Sequence, residues 1–281
     1  MADALIDTAD FFSAYLECDL SSVAPREMRV VASDRRERRE LLYADVFALW
    51  LVVFENRAAL SVQSQLYKPV RRILARHGIA RIREPRCLDD LTRLVETHRS
   101  MLGQVSVASG PINCCAAETF RPRLKHPCRA VTEADLPAVR QSGLYEDWLE
   151  QSVRAGTCHA AFDSGRPVAL CGTFDVPHLA DRVADIGLAG TLDSHRRLGF
   201  GSSVLSATTA AILAAGKTPI HQTSDRNVAS IATARSVGYR EFGWDFRVRI
   251  TPTTCPSPAP GSINARDAAR LNPLRITALS C

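Results

Sequence analysis

Arg196, Arg197, Leu198, Gly199, Phe200 and Gly201 form a basic, glycine-rich hexapeptide that runs directly into SSVLSATTAAILAAG, a helix-forming stretch closed by Gly216. Such a loop brings backbone N–H groups, an arginine and the positive end of a helix to one point, which suits it to holding phosphate. ADIGLAGT, Ala184 to Thr191, is strand-like and feeds the loop, so strand, loop and helix follow in the order an anion cradle needs. A nucleoside triphosphatase loop would end in Gly-Lys-Ser/Thr, and Gly201-Ser202-Ser203 has no lysine. A dinucleotide fingerprint would put its third glycine where Val204 stands. Both of those ligand classes are set aside on the loop alone.

The hexapeptide does match the pattern Arg/Gln-x-x-Gly-x-Gly/Ala. Downstream, PIHQTSDRNVASIATARSVGYREFG, Pro219 to Gly243, carries Asn227, Ser230, Ile231, Gly238 and Tyr239 in a matching register. Together the two motifs resemble the GNAT superfamily of N-acetyltransferases, over about sixty residues strongly and from roughly Cys128 to Ile250 in element order. The resemblance implies acetyl-CoA as acyl donor. Its pyrophosphate would rest on the amides around Leu198, Gly199, Phe200, Gly201 and Ser202 beside Arg196 and Arg197, and its pantetheine arm along Ile186, Leu188 and Ala189. Gly199 and Gly201 keep side chains out of that approach, although an ordinary strand-to-helix turn would use the same glycines. Asn227 would cap the next helix and touch the pantetheine.

The reaction implied is attack of an amine on a thioester. An amine of pKa ~10.4 is about one part in a thousand neutral at pH 7, so a base or a desolvating site must supply the rest. Asp185 stands where many relatives carry a glutamate base, one methylene shorter; an edge carboxylate paired with an arginine is the plainer alternative. A backbone N–H near Leu188 or Ala189 would hold the oxyanion. The tyrosine that commonly protonates the leaving thiolate is replaced by Ala234, with Ser224 and Tyr239 as nearby substitutes. Glu146 and Trp148 fall where relatives build the acceptor pocket. His159 and His221, on expected strands, read as packed histidines.

The elements that must position these groups are read from Cys128 onward: a strand and a helix capped by Thr132 and Asp135, a helix over Tyr145 to Gly156, and strands TCHAAFD and RPVALCGTFDV turned at Asp163-Ser164-Gly165-Arg166. Then follow the strand at 184, the loop, a helix to Ala215, a strand at Ile220, a helix from Asn227 and a last strand from Asp245 to Ile250. The expected fold is α+β, a GNAT-like mixed and mostly antiparallel sheet flanked by helices. The first half is less legible: a helix in DTADFFSAYLECDL, a hairpin of FALWLVVF and AALSVQS turned at Glu55-Asn56-Arg57, and a helix over Leu66 to His77. The division expected is a smaller N-terminal α+β domain over 1–126, a catalytic domain over 127–250 and a flexible proline-rich tail over 251–281.

The chain has 281 residues, 46% hydrophobic and 23% charged, with a formal net charge of +5, all ordinary for a globular protein. No apolar run reaches membrane-helix length and the start, MADALIDTAD, is acidic, so a cytoplasmic protein with no membrane partner is expected. Nine cysteines show neither C-x-x-C nor zinc-finger spacing; reduced, mostly buried thiols and no metal are expected. The arginines of DRRERRE and RRILARHGIARIREPR are too interrupted for a nucleic-acid stripe. The partner expected is an amine-bearing acceptor, small molecule or protein; a homodimer stays open. A non-catalytic acyl-CoA-binding sensor is the alternative to an enzyme.

Overall fold

A computed structural model describes residues 1–38, 46–99, 103–146, 148–174 and 178–251, with the side chains of Arg99 and Leu188 excepted. The proline-rich stretch 252–281 and part of the first arginine cluster lie outside the described residues. In chain order the elements of the first half are α1 (Ala2–Leu16), β1 (Met28–Ala32), β2 (Val46–Phe54), β3 (Arg57–Val62), α2 (Tyr67–His77), α3 (Pro85–Arg99) and β4 (Gln104–Cys114). Then follow β5 (Cys128–Ala130), α4 (Leu136–Gln141), α5 (Leu149–Arg154), β6 (His159–Asp163), β7 (Arg166–Phe174), β8 (Val183–Thr191), α6 (Phe200–Ala214), β9 (Thr218–Gln222), α7 (Val228–Val237) and β10 (Arg240–Thr251).

The ten strands form one sheet in the order β1-β3-β2-β10-β4-β9-β8-β7-β6-β5. The fold is α+β, a mixed sheet flanked by helices, and only β1–β3 and β8–β9 run parallel. Strands from both sides of residue 126 share this sheet. β4 lies between β9 and β10, antiparallel to both, although it precedes them by a hundred residues. β10 in turn pairs with β2 on its other edge.

Local chemistry accounts for the turns. Glu55 takes φ +50 at the β2–β3 hairpin, and Ser164 and Gly165 take φ +49 and +78 at the β6–β7 hairpin, the double positive φ of a tight hairpin turn. The Thr132 and Asp135 side chains form the expected reciprocal capping box, but on a single 3₁₀ turn ahead of α4. α5 starts only at Leu149 and is shorter than the 145–156 helix the sequence suggests, with residues 144–146 in no regular element.

Four layers of packing hold the sheet. On one face α2 and α3 bury Val70, Leu74, Leu91 and Val95 against Leu49, Leu51, Leu60, Trp244, Phe246 and Val248. On the other, α1 buries Phe11, Phe12, Tyr15 and Leu16 against Phe47, Trp50, Val52, Ile112, Val183 and Ile220. α6 and α7 cover Ala184 and Ile186 of β8, and α4 and α5 cover Ala160 and Leu170. Arg182, at the start of β8, ties α1 down through Asp7 and Asp10 at 2.5 and 2.8 Å. The seven cysteines among the described residues are free thiols, and burial pushes those of Cys158 and Cys171 up to about 12.

Candidate functional site

The site begins where β8 leaves β9. The two strands pair in parallel from Val183↔Thr218 to Ile186↔His221 and no further. At that point β8 also carries a bulge: its partner β7 pairs Gly172 with Leu188 but Thr173 with Ile186, so Gly187 is the extra residue. A Cβ at Gly187 would lie 2.8 Å from both the Phe174 ring and Trp148. These two rings pack with centroids 4.3 Å apart and cover the bulge. Beyond it, residues 187–191 present to β9's side an edge without ladder bonds, and Ala189 is exposed there.

The loop that follows closes one end of this cleft. A 3₁₀ turn over Asp193–His195 leads into Arg196; Arg197 takes φ +62 and Gly199 φ +99, after which α6 begins at Phe200. Arg196 is engaged by Asp193 at 2.9 Å, whereas Arg197 and Lys125 have no ion-pair partner among the described residues. The N–H groups of Arg197 through Ser202 have no acceptor among the described residues, so six consecutive donors surround the first turn of α6. The linker ahead of β5 straps this turn in place. His126 stacks on Phe200 at 3.6 Å, its Nε2 lies 2.9 Å from the Leu198 carbonyl oxygen, and its amide donates to Ser203 Oγ at 3.1 Å.

Asp185 stands two residues before the bulge and is 2% exposed. Gln222 Nε2 donates to its Oδ2 at 3.4 Å, while Oδ1 has no partner among the described residues. Burial pushes its carboxyl up to about 7, with Asp245 adding to the rise and Arg247 and Gln222 opposing it. An acid poised near neutrality beside a cleft is fit to take a proton there.

Across the cleft, past β9, Asn227 caps α7 as expected, its Oδ1 accepting from Ser230 N–H at 3.1 Å. Ser224 is exposed on the same loop and its Oγ accepts from Arg226 N–H at 3.2 Å. Asp225 pins this loop to β4 and β10: its Oδ2 accepts from Ser109 Oγ at 2.9 Å and Trp244 Nε1 at 3.0 Å.

Other sequence-derived residues take different places. Tyr239 is corrected from a stand-in acid to a core residue: it is 0% exposed, and its hydroxyl lies 2.9 Å from Thr209 Oγ1, halfway along α6. Ile186 turns its side chain into the core under α6 and is the last residue of β8 paired with β9, at the edge of the opening. Ala234 is wholly buried in the same cluster. Glu146 is exposed and its carboxylate makes no polar contact among the described residues. His221 is packed, with Nε2 3.0 Å from Ser230 Oγ, and burial pushes it down to about 4. Sequence reasoning missed Gly187, Phe174, Gln222 and His126; a glycine inside an otherwise apolar strand was the one available signal, for Gly187.

Among the described residues no cluster of three His, Cys, Asp or Glu could hold a metal, and no helix is long and apolar enough to cross a membrane.

Residues 172–248 match the model of the family described as FR47-like protein. No curated protein matches the chain. Among solved structures, an acetyltransferase from the GNAT family of Colwellia psychrerythraea is 19% identical, with 53% of this chain and 58% of that one covered at a TM-score of 0.42. A GNAT-family protein of Novosphingobium aromaticivorans is 20% identical over 54% of this chain and 68% of that one, TM-score 0.45. A GCN5-related N-acetyltransferase of Sphaerobacter thermophilus is 15% identical over 73% and 76%, TM-score 0.45. The stretch matched by the FR47-like model, less than half of the chain, holds the bulged strand, the phosphate-type loop and the second motif.

Proposed function

We propose that the chain is an acetyl-CoA-dependent N-acetyltransferase that moves an acetyl group to an amine acceptor by direct transfer in a ternary complex. The observation that carries this reading is the row of six unengaged amides, Arg197 to Ser202, at the mouth of the β8–β9 splay. Gly199 and Gly201 leave that row bare, and Arg197 and Lys125 add positive charge beside it, which fits a pyrophosphate. The thioester donor supplies the activated acyl group when bound. The rest falls to this chain's own residues. The β8 edge at Leu188 and Ala189 offers N–H groups to an acyl oxygen, Trp148 and Phe174 exclude water from one wall, and Asp185 takes the proton given up by the amine.

A second reading, a non-catalytic acyl-CoA-binding sensor, is favoured by one observation: the usual acid position is Ala234, and Tyr239 is locked on Thr209. A thiolate is a good leaving group without an acid, so that absence slows an enzyme rather than excluding one. Amine-dependent release of free thiol from acetyl-CoA belongs to the enzyme alone and separates the two.

Acetyl-CoA at a hundredfold its dissociation constant should add about 2.7 kcal/mol and raise the melting midpoint by several degrees, with ATP and NAD as controls. No shift specific to acetyl-CoA would remove the donor from this proposal. Gly199→Val should abolish that shift while leaving a folded protein. The φ of +99 is strained for a side chain by about 1–2 kcal/mol, but the nearest obstacle, 2.9 Å from a Cβ, is the mobile Lys125 chain. Retained acetyl-CoA stabilisation in Gly199→Val would refute the loop assignment.

A further inference from the structure

The stretch YKPVRRILARHGIARIR, residues 67–83, holds six of the chain's 35 basic residues and none of its 30 acidic ones. Along the sequence apolar residues interrupt that charge, but in the fold they leave the surface. Val70, Ile73 and Leu74 turn from α2 into the core against the sheet, while Lys68, Arg71, Arg72 and Arg76 are exposed. At about 100° per residue these four fall within an arc of about 140° opposite the buried side, spread over roughly 12 Å of helix. None of them has an ion-pair partner among the described residues; Arg71 lies over the Tyr67 ring, 5.7 Å from its centroid. The next acids along the chain include Glu84, engaged by Arg81 at 2.9 Å, and Asp90, engaged by His77 at 3.0 Å. α3 carries both signs among its exposed residues, Arg86 and Arg93 against Asp89 and Glu96, so the unbalanced charge belongs to α2.

We propose that the exposed face of α2 is a docking surface for the phosphate backbone of a nucleic-acid duplex. This surface does not depend on the acetyltransferase reading. Guanidinium forks match phosphate oxygens two at a time, and a row of them on one rigid helix fits a row of charges better than a single anion. A protein partner of opposite charge would need an apolar centre that excludes water, and none of the exposed large hydrophobic side chains among the described residues lies within 67–98. An anionic bilayer would take up an apolar helix face, and that of α2 is already buried in the core. Single strands bind by stacking their bases on aromatic rings; the one aromatic ring of α2, Tyr67, is only half-exposed and has Arg71 over it. Contact to the backbone without a stacking platform reads charge and shape, so the binding is independent of base sequence and steeply dependent on salt.

Fluorescence anisotropy of the full-length protein with labelled DNA and RNA duplexes of one sequence, their single strands and polyglutamate tests this. Four phosphate contacts predict a slope of log K against log salt of about −3.6, a loss of about 10²-fold in affinity between 50 and 200 mM salt. Arg71→Gln, Arg72→Gln and Arg76→Gln combined should bring the slope to about −1 and weaken duplex binding at least tenfold at about 50 mM salt. Glutamine suits an exposed helix, so the melting midpoint and its shift with acetyl-CoA should stay at the wild-type values. Arg154→Gln, Arg235→Gln and Arg240→Gln combined remove the same net charge from exposed positions on other elements, and that protein should bind duplex like the wild type. A preference for either duplex names the source of the phosphates and upholds the surface. No duplex binding by the wild type, a slope near zero, equal losses in the two triple variants, or tighter binding to single strands or polyglutamate than to both duplexes would each overturn it. Should the α2 triple variant not fold, Arg72→Gln alone decides: a slope smaller by about 0.9 upholds the surface and an unchanged slope overturns it. A wild type that binds duplex but gains no stability from acetyl-CoA would cost the acetyltransferase reading and leave this surface standing.

Discussion

Asp185→Asn is expected to lose turnover by about 10²–10⁴-fold and yet to be more stable than the wild type at pH 8. The two effects share one cause. A base useful near neutrality must be held where its charge is disfavoured, and Asp185 is buried, with its Oδ1 unpartnered among the described residues. Its carboxyl is raised from 3.8 to about 7 in the folded protein, so between those values the folded state holds a proton that the unfolded chain has lost. The favourable contribution is therefore complete below about pH 4, declines as pH rises, and is gone above about pH 7. Asparagine carries no such penalty. Each unit of displacement is worth about 1.4 kcal/mol, so the variant's advantage at pH 8 is of the order of a few kcal/mol, or roughly 5 °C in melting midpoint, and it should vanish near pH 4. Melting curves of both proteins from pH 4 to 8, beside initial rates with saturating acetyl-CoA, check this. A variant less stable at every pH would mean that Asp185 serves the fold as a paired ion, and the base would have to be sought elsewhere.

The loop and the second motif could be read from sequence because their constraints are local. Gly199 must adopt φ +99, Asn227 must cap α7, and Gly238, at φ +107, must leave room for the Thr119 carbonyl oxygen, 2.0 Å from where a Cβ would stand. Two-residue turns at Glu55 and Ser164-Gly165 were equally visible. What the sequence hid is non-local. β4 contains Gly110-Pro111, a pair that argues against a central strand. It is tolerated because pairing with β9 starts only at Ile112, and because Thr223 needs the space over Gly110. Tyr239 looked available by its distance from Asn227 along the chain, but it sits in the α6–α7 core, whereas Asp185 belongs with Val183 to the face under α1. Gln222 carried no motif at all; only the pairing of β9 beside β8 brings it to Asp185.

Separating the two halves of the chain should be the most damaging cut that leaves every motif intact. Residues 127–281 contain the loop, Asp185 and both walls of the cleft, yet β9 and β10 are not neighbours in the sheet: β4 joins them. Its pairing with β10 runs from Arg240↔Cys114 to Thr251↔Gln104, the longest ladder in the structure. Without β4, one side of β9 and one side of β10 lose their backbone partners, and β10 loses β2 on its other side. The loop with Ser224 and Asn227 loses the Ser109 hydroxyl and carbonyl that hold Asp225. The fragment 127–281 alone should therefore show no cooperative melting and no stabilisation by acetyl-CoA, and co-expression with 1–126 should restore both. Independent folding of 127–281 with acetyl-CoA affinity equal to that of the full chain would mean that β10 can close onto β9 by itself. The first half would then be a covering element with no part in shaping the cleft.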